Sequence, residues 1–208
     1  MVRVGVLVSG GGTNLQAIID NIKSGYIKNG EIATVVSSKE GAFALERAEK
    51  AGIQGRVIAR KSFSSADEYE EEMIRHFKAC GVELIVLAGF MTILGGKFIK
   101  AFENRIINVH PALIPSFCGD GFYGLKVHEA ALEKGVKVTG ATVHFVTEET
   151  DAGPIILQKA VYVEDDDTPE VLQKRVMEQA EWKILPEAVK LFTEGKLDVR
   201  DNKVWRKK

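Results

Sequence analysis

The stretch VGVLVSGGGTNLQAIID, residues 4–20, decides the fold. It starts with an apolar run at 4–8, continues through three consecutive glycines at 10–12, and ends in a segment with helical periodicity from Asn14. Short apolar runs are typical of strands that are buried on both faces of a parallel sheet. The stretch therefore predicts a β-strand, a glycine loop and an α-helix in direct succession.

The same alternation continues along the first half of the chain. Apolar runs predict four further strands, at 32–36, 56–59, 84–87 and 106–109. Periodic segments between them predict helices at 14–24, 42–51 and 65–80, each closed by a glycine. We therefore expect an α/β fold with a mostly parallel twisted sheet and helices on both faces.

The second half of the chain has a different pattern. Residues 138–146 and 155–163 predict two added edge strands, which an antiparallel arrangement would suit. Residues 169–192 predict a long helix that is disturbed near Pro186, because proline lacks the N–H that a helical hydrogen bond needs. Residues 196–208 form a polar tail with a turn expected at Asp201-Asn202.

Composition and charge exclude several classes of protein. The chain has 208 residues, 45% hydrophobic and 27% charged, which is typical of a single globular domain. Lys and Arg number 28 against 29 Asp and Glu, so we expect neither a nucleic-acid partner nor a membrane surface. The isolated cysteines, Cys80 and Cys118, fit a reducing compartment, and the absence of a signal peptide pattern predicts a cytoplasmic protein.

The four histidines and two cysteines show no zinc-ligand spacing, so no metal site is expected. His76 and His128 fall on predicted helices among charged residues and are expected at the surface. His144 shares a strand face with Thr142, and it either lines a site or is a buried, hydrogen-bonded histidine.

The glycine loop is suited to bind a phosphate, because backbone N–H groups and a helix N-terminus meet there. Leu15 stands where a dinucleotide fingerprint has its third glycine, and no Gly-Lys-Ser/Thr triplet of a nucleoside triphosphate site follows. Because the patterns for dinucleotides and nucleoside triphosphates are both missing, we expect the loop to bind a monophosphate. The alternative is a plain turn that is rich in glycine.

Two polar residues, Asn108 and His110, lie at the carboxyl end of a predicted strand, where open α/β sheets bind their ligands. An amide beside an imidazole suits the oxyanion that forms when an amine attacks a carbonyl. The alternative is a His-Pro turn with Asn as a turn former.

Asp151 lies in a loop between two strand candidates, and a carboxylate near His110 would orient the ring and raise its pKa. The alternative is a solvated acidic turn. A nucleophilic role for Cys118, activated by His110, is a weaker hypothesis that rests on their separation of eight residues.

Four ordered motifs together resemble one known family. They are SGGGTNLQ at 9–16, AGFM at 88–91, NVHP at 108–111 with IP at 114–115, and DAGP at 151–154. The combination is similar to the phosphoribosylglycinamide formyltransferase family over nearly the whole chain. The resemblance implies a Rossmann-like formyltransferase fold, 10-formyltetrahydrofolate as the donor co-substrate, and glycinamide ribonucleotide as the acceptor in purine biosynthesis.

The resemblance also implies roles for individual residues. The acceptor would be bound by Gly11, Gly12, Thr13 and Asn14 at its phosphate and by Glu181. The folate would be enclosed by Met91, Thr92, Ile93, Leu94, Asn108, Thr147, Glu148, Glu149, Thr150 and Asp151. Asn108 and His110 would stabilise the tetrahedral intermediate of a direct transfer, while Asp151 raises the pKa of His110 and helps to relay the proton.

By the same resemblance, residues 1–109 form a phosphate-binding half and residues 110–195 a folate-site half, ahead of the polar tail, in a monomer or homodimer. Thr92 and Ala66 stand where the family often has basic side chains, and 117–124 is longer than usual. The alternatives are a formyltetrahydrofolate hydrolase, a transferase with another amine acceptor, and a non-enzymatic module that binds a phosphorylated metabolite. The hydrolase is disfavoured because the chain starts at the first strand of the catalytic domain.

Overall fold

Strand and helix alternate along residues 1–107, as the apolar runs predict. The elements are β1 (Val2–Val8), α1 (Thr13–Lys23), β2 (Gly30–Ser37), α2 (Phe43–Lys50), β3 (Gly55–Val57), a 3-10 turn (Arg60–Ser62), α3 (Ala66–Ala79), β4 (Leu84–Leu87), α4 (Gly96–Ala101) and the start of β5 (Ile106–His110). The computed structural model describes residues 1–207, in which Met1–Ile107 is one compact unit and the residues from Asn108 onwards are another.

The sheet of the first unit is parallel and has the order β3-β2-β1-β4-β5. The central strand is β1, in which Val6 lies opposite Val35 of β2 and Val86 of β4. β3 pairs with the outer side of β2, and β5 begins next to β4, where the Ile85 N–H donates to the Arg105 carbonyl at 2.8 Å. These pairings confirm the mostly parallel sheet.

Burial explains why the first strand has a continuous apolar sequence. Val4, Val6, Leu7 and Val8 are all fully buried, so both faces of β1 are covered. Helices α1, α2 and α3 are each followed by a glycine with positive φ, which confirms the helix ends predicted at those glycines. The sequence did not predict α4, because six residues are too few for a helical period to be visible.

The second unit contains the end of β5 and a series of shorter connections. Its further elements are α5 (Leu125–Lys134), β6 (Val138–Phe145), β7 (Ile155–Tyr162), α6 (Pro169–Val176), a π-helical turn (Met177–Glu181), α7 (Trp182–Thr193), β8 (Leu197–Arg200) and β9 (Lys203–Arg206). The strand order in this unit is β5-β6-β7, and β6 and β7 are antiparallel, with Val138 opposite Tyr162. The two added edge strands are therefore confirmed.

The predicted long helix is continuous but irregular. Pro186 lies inside α7, and the irregularity is the π-helical turn that ends immediately before Trp182. In a regular α-helix the N–H of residue 186 would donate to the Trp182 carbonyl, but proline has no N–H. The irregular turn therefore lies close to the position where the sequence predicts a disturbed helix. Among the described helices, none has the length and hydrophobicity that crossing a lipid bilayer requires.

The C-terminal segment is a β-hairpin, which corrects the expectation of a polar tail. β8 and β9 are antiparallel, with Val199 opposite Val204. The turn between them is at Asp201 and Asn202, which both have positive φ (51° and 57°), as the preferred two-residue hairpin turn requires. The turn was predicted, but its four-residue strands carry too little apolar sequence to be recognised.

Candidate active site

A polar group lies at the carboxyl end of β5, with His110 and His144 buried and Asn108 and Asp151 partly buried. Asp151 is the centre of it, because Oδ2 is 3.5 Å from His110 Nδ1 and Oδ1 is 3.5 Å from His144 Nε2. The Asn108 Nδ2 atom lies 3.3 Å from the same His144 nitrogen. The structure thus brings together the three residues that the sequence singled out for chemistry, and adds His144 to them.

The loop after β5 is held in place by a hydroxyl from β6. Thr142 Oγ1 donates to the Ala112 carbonyl at 2.7 Å and accepts the Ile114 N–H at 3.1 Å. Thr142 and His144 point to the same face of β6, as their spacing predicts. One strand therefore anchors the loop that follows His110 and places an imidazole next to Asp151.

The loop that carries Asp151 is fixed by a close approach of two backbone segments. A side chain at Gly153 would overlap the Phe145 carbonyl, so this position needs glycine. The Pro154 carbonyl accepts the Phe145 N–H at 2.9 Å, and Asp151 itself has a positive φ of 55°. The Gly119 N–H then donates to Asp151 Oδ2 at 3.0 Å, which orients the carboxylate.

The contacts of His110 determine which ring nitrogen can exchange a proton. A carbonyl oxygen only accepts, so Nε2, which lies 2.8 Å from the Phe117 carbonyl, carries a hydrogen. In the neutral ring Nδ1 is then unprotonated and faces Asp151. A proton taken up by this histidine therefore binds at Nδ1, beside the carboxylate.

The net pKa of His110 is lowered, although Asp151 raises it as the sequence predicts. Burial is the largest cause, because only 4% of His110 is exposed and the imidazolium loses its solvation. Asp151 and the Phe117 carbonyl each raise the pKa, but together they do not offset burial. The ring is therefore neutral over a wider pH range than a free histidine.

Asp151 keeps its negative charge despite its burial. Burial alone would raise the pKa of this carboxyl group, but the His144 hydrogen bond, the charge of His110 and the Gly119 N–H together lower it. An ionised carboxylate beside His110 stabilises the protonated form of that ring. This arrangement is suited to moving a proton, because the imidazole and the carboxylate are in contact and largely removed from solvent.

His144 Nδ1 lies 2.8 Å from the Phe145 carbonyl, so Nδ1 carries a hydrogen. When Nε2 is unprotonated it accepts one N–H of Asn108 and leaves the second N–H of that amide for another acceptor, whereas a protonated Nε2 donates to Asp151 Oδ1 at 3.5 Å. The interpretation of His144 as a buried, hydrogen-bonded histidine is confirmed, and the residue also contacts the polar group around Asp151.

The glycine loop of the first unit carries the residues expected at a phosphate. Gly12 has a positive φ of 71° and precedes α1, which has no side-chain cap at its N-terminus. Gly11 is exposed, Gly12 and Thr13 are partly exposed, and Asn14 is buried. The first turn of α1 therefore keeps N–H groups that no capping side chain satisfies.

Residues 91–94 follow β4 and have no regular secondary structure. The Met91 N–H donates to Ser9 Oγ at 2.9 Å, which ties this segment to the end of β1. Met91 and Ile93 are 55% and 81% exposed, whereas Leu94 is buried. Two exposed apolar side chains beside the end of the central strand are consistent with contact to an aromatic ligand, as expected for this segment.

The segment 147–150 is on the surface of the second unit. Thr147 Oγ1 donates to the Glu149 carbonyl at 3.2 Å, and Glu148, Glu149 and Thr150 are exposed. Glu181 lies apart from this loop in sequence, on the π-helical turn, and is only 7% exposed. π-helical turns are frequent at functional sites, and this turn presents a buried carboxylate.

A cavity of about 790 Å³ lies next to Asp151. It is lined by the loop after β5, the loop before β7 and the tip of the C-terminal hairpin, with Cys118, Glu149 and Trp205 among the lining residues. Its volume is typical of a small-molecule site. Sequence reasoning did not include the hairpin in the site, because 202–205 contains no recognisable motif.

Known proteins that resemble this chain identify the family to which it belongs. A family profile described as formyl transferase matches residues 2–189. This chain belongs to the formyl transferase family. It is similar to phosphoribosylglycinamide formyltransferase of Haemophilus influenzae, with 43% identity over 97% of this chain and 92% of that protein.

Two further comparisons support the formyl transferase assignment. The chain is 48% identical to the trifunctional purine biosynthetic protein adenosine-3 of Gallus gallus over 95% of its own length, but it spans only 19% of that relative. Among solved structures, glycinamide ribonucleotide transformylase 1 of Symbiobacterium toebii is 44% identical, with a TM-score of 0.93 over 99% of this chain and 94% of that one. These comparisons confirm the Rossmann-like formyl transferase fold.

Two histidines of this formyl transferase were expected at the surface and are buried. His76 is 7% exposed. Its Nε2 lies 3.0 Å from Thr34 Oγ1, and its Nδ1 lies 3.1 Å from a guanidinium nitrogen of Arg56. His128 is fully buried, and neither of its ring nitrogens has a hydrogen-bond partner among the described residues. The prediction was wrong because charged neighbours in sequence do not exclude burial. Next to His128 the charged residues are exposed, whereas the charged residue nearest His76 on its own face, Glu72, is buried and pairs with Arg56.

Burial lowers the pKa of His128 from 6.5 to about 4, and the charge of His110 contributes. At a pH between these two pKa values, His128 binds a proton in the unfolded chain but not in the folded chain. The free energy of unfolding therefore falls as the pH falls. From about pH 7.5 to about pH 5, we expect this histidine to cost about 2 kcal/mol of stability.

The matched variant His128→Leu removes the titrating group and its two unsatisfied nitrogens. We expect it to be at least as stable as the wild type at about pH 7.5, and to lose about 2 kcal/mol less on acidification, in urea unfolding followed by circular dichroism. Equal losses in the two proteins would show that His128 is solvated or already protonated in the folded state.

Proposed function

We propose that this protein transfers the formyl group of 10-formyltetrahydrofolate to the amine of glycinamide ribonucleotide, in purine biosynthesis. The observation that carries the proposal is the polar group of Asn108, His110 and Asp151, in a formyl transferase whose full-length relatives are named for this acceptor. The location in the cytoplasm, expected from the cysteines, is part of the proposal.

The reaction needs no covalent bond to the protein. The neutral amine attacks the formyl carbon, the bond from that carbon to the folate nitrogen breaks, and a proton passes from the amine to that nitrogen. An oxyanion forms on the formyl oxygen in between. The Asn108 N–H that His144 leaves available is the donor that we assign to this oxyanion.

His110 and Asp151 supply the path of the proton in this proposal. The lowered pKa of His110 keeps Nδ1 free to accept a proton near neutral pH, and the ionised Asp151 beside that atom stabilises the resulting imidazolium. The Phe117 carbonyl fixes the ring from its other side. These two contacts support proton transfer by an imidazole that does not have to rotate.

Cys118 is not part of the proposed mechanism. Burial and the negative charge of Asp151 both raise the pKa of its thiol, so the thiolate that a nucleophile requires is disfavoured. The thiol instead donates to the Pro115 carbonyl at 3.2 Å. These contacts disfavour the hypothesis of a Cys/His nucleophile.

Further residues are assigned to the binding of the two substrates. We infer that Gly11, Gly12, Thr13 and Asn14 hold the phosphate of the acceptor, and that the exposed apolar side chains of Met91 and Ile93 contact the folate. Thr92, Leu94 and the segment Thr147–Asp151 complete the folate contacts in the proposal, and Glu181 contacts the acceptor.

The proposal is tested by mixing the purified protein with 10-formyltetrahydrofolate and glycinamide ribonucleotide and following the folate absorbance. We expect tetrahydrofolate to form only when the acceptor is present. Turnover with a different amine but not with glycinamide ribonucleotide would contradict the acceptor assignment. Release of formate without any amine would instead identify a hydrolase.

A further inference from the structure

Three consecutive backbone carbonyl groups of the glycine loop accept hydrogen bonds from residues of α1 and α2. The pairs are the Ala44 N–H to the Gly10 carbonyl at 3.0 Å, Arg47 Nε to the Gly11 carbonyl at 2.8 Å, and the Gln16 N–H to the Gly12 carbonyl at 2.9 Å. Two of these donors belong to α2 and one belongs to α1. The loop is therefore held on its carbonyl side by both helices.

The orientation of the carbonyl groups determines that of the N–H groups. In a planar trans peptide the N–H points opposite to the carbonyl of the preceding residue. The N–H groups of Gly11, Gly12 and Thr13 are consequently turned away from the donors that hold the carbonyls. Successive N–H groups arranged in this way form a concave site that is suited to an anion.

Arg47 is the one side chain among the three donors. Its position is fixed on two further sides, since NH1 donates to Gln16 Oε1 at 3.1 Å and the guanidinium lies 4.9 Å from the centre of the Phe43 ring. The loop also packs directly on α2, because a Cβ at Gly12 would lie 2.6 Å from Ala44 Cβ. A guanidinium held by an amide and an aromatic ring is a rigid donor.

We propose that Arg47 is a positioning residue for the acceptor phosphate. It binds the Gly11 carbonyl and thereby orients the Gly12 N–H toward the anion, without contacting the formyl group or the folate. The inference rests on the proposed function for the identity of the acceptor, but the orientation of the loop does not depend on the reaction.

The test compares three variants with the wild type. Arg47→Met removes the donor, Arg47→Lys keeps the positive charge without the planar fork, and Lys50→Met removes a cation that lies over the same Phe43 ring but contacts no loop carbonyl. Binding of inorganic phosphate is followed through the amide NMR signals of Gly11, Gly12 and Thr13. The KM for glycinamide ribonucleotide, the KM for the folate and kcat are measured in parallel.

We expect Arg47→Met to weaken phosphate binding and raise the KM for the acceptor by about tenfold, which is typical of one charge-assisted hydrogen bond. We expect the KM for the folate and kcat to change by less than about twofold, Arg47→Lys to restore only a minor part of the affinity, and Lys50→Met to match the wild type. Should Arg47→Met fail to fold, Arg47→Lys alone distinguishes a rigid donor from a charge.

Unchanged phosphate affinity in Arg47→Met, full recovery in Arg47→Lys, or wild-type amides that do not respond to phosphate would each overturn the inference. Wild-type protein that binds phosphate at these amides but does not formylate glycinamide ribonucleotide would overturn the proposed function and leave the role of Arg47 intact.

Discussion

Replacing His110 with alanine is expected to lower kcat by about 10²- to 10⁴-fold, the usual contribution of a positioned acid–base group. The variant loses the atom that takes the proton, Nδ1, while the glycine loop is unchanged. The KM for glycinamide ribonucleotide should therefore change little. Steady-state kinetics at about pH 7.5, with the acceptor affinity measured separately by calorimetry, checks both expectations.

Cys118→Ala is the control for the His110 experiment. Its thiol lines the cavity next to Asp151 but has no role in the proposed chemistry, so we expect kcat to stay within about threefold of the wild type. A collapse of turnover in this variant would revive the nucleophile hypothesis. Full turnover in His110→Ala would remove the imidazole from the mechanism and favour a module that only binds its ligand.

Asp151→Asn is expected to lower kcat by about 10³-fold, because the amide keeps the size of the carboxylate but cannot stabilise an imidazolium at His110. Asp151 raises the pKa of His110 against the effect of burial, so its loss should lower that pKa further. Proton NMR titration of the His110 ring measures this shift directly, and kinetics measures the loss of rate.

Asp165→Asn is the matched control, since it removes one carboxylate of the same unit whose side chain is 92% exposed and pairs with Lys137. We expect it to leave kcat and the His110 titration unchanged. An Asp151→Asn protein in which the His110 pKa stays constant would show that the 3.5 Å contact has no electrostatic effect, and the proposed proton path would fail.

The parts of the fold that the sequence predicts are those in which one physical effect dominates. β1 is covered on both faces, so its residues are uniformly apolar, and Gly25, Gly52 and Gly81 mark helix ends because they adopt a backbone conformation that other residues avoid. The hairpin β8–β9 and the helix α4 are short, so they depend on packing against other parts of the protein. A local sequence pattern does not show such packing.

The sequence predicts only part of the candidate site. The end of β5 places Asn108 and His110 on one strand, so their proximity follows from a spacing of two residues. Asp151 is about forty residues further along, and its approach to His110 depends on a positive φ and on the lack of a side chain at Gly153. The pKa of His110 could not be predicted, because burial is a property of the whole fold.

Asp151 has a single negative charge but faces two imidazole rings, one on each oxygen. One charge compensates one imidazolium, and a positive charge on His144 lowers the pKa of His110 in addition to the effect of burial. The affinity of His110 for a proton therefore depends on the side chains on both sides of the carboxylate. An inflection in the pH–rate profile would report the group around Asp151 rather than the ionisation of one isolated imidazole.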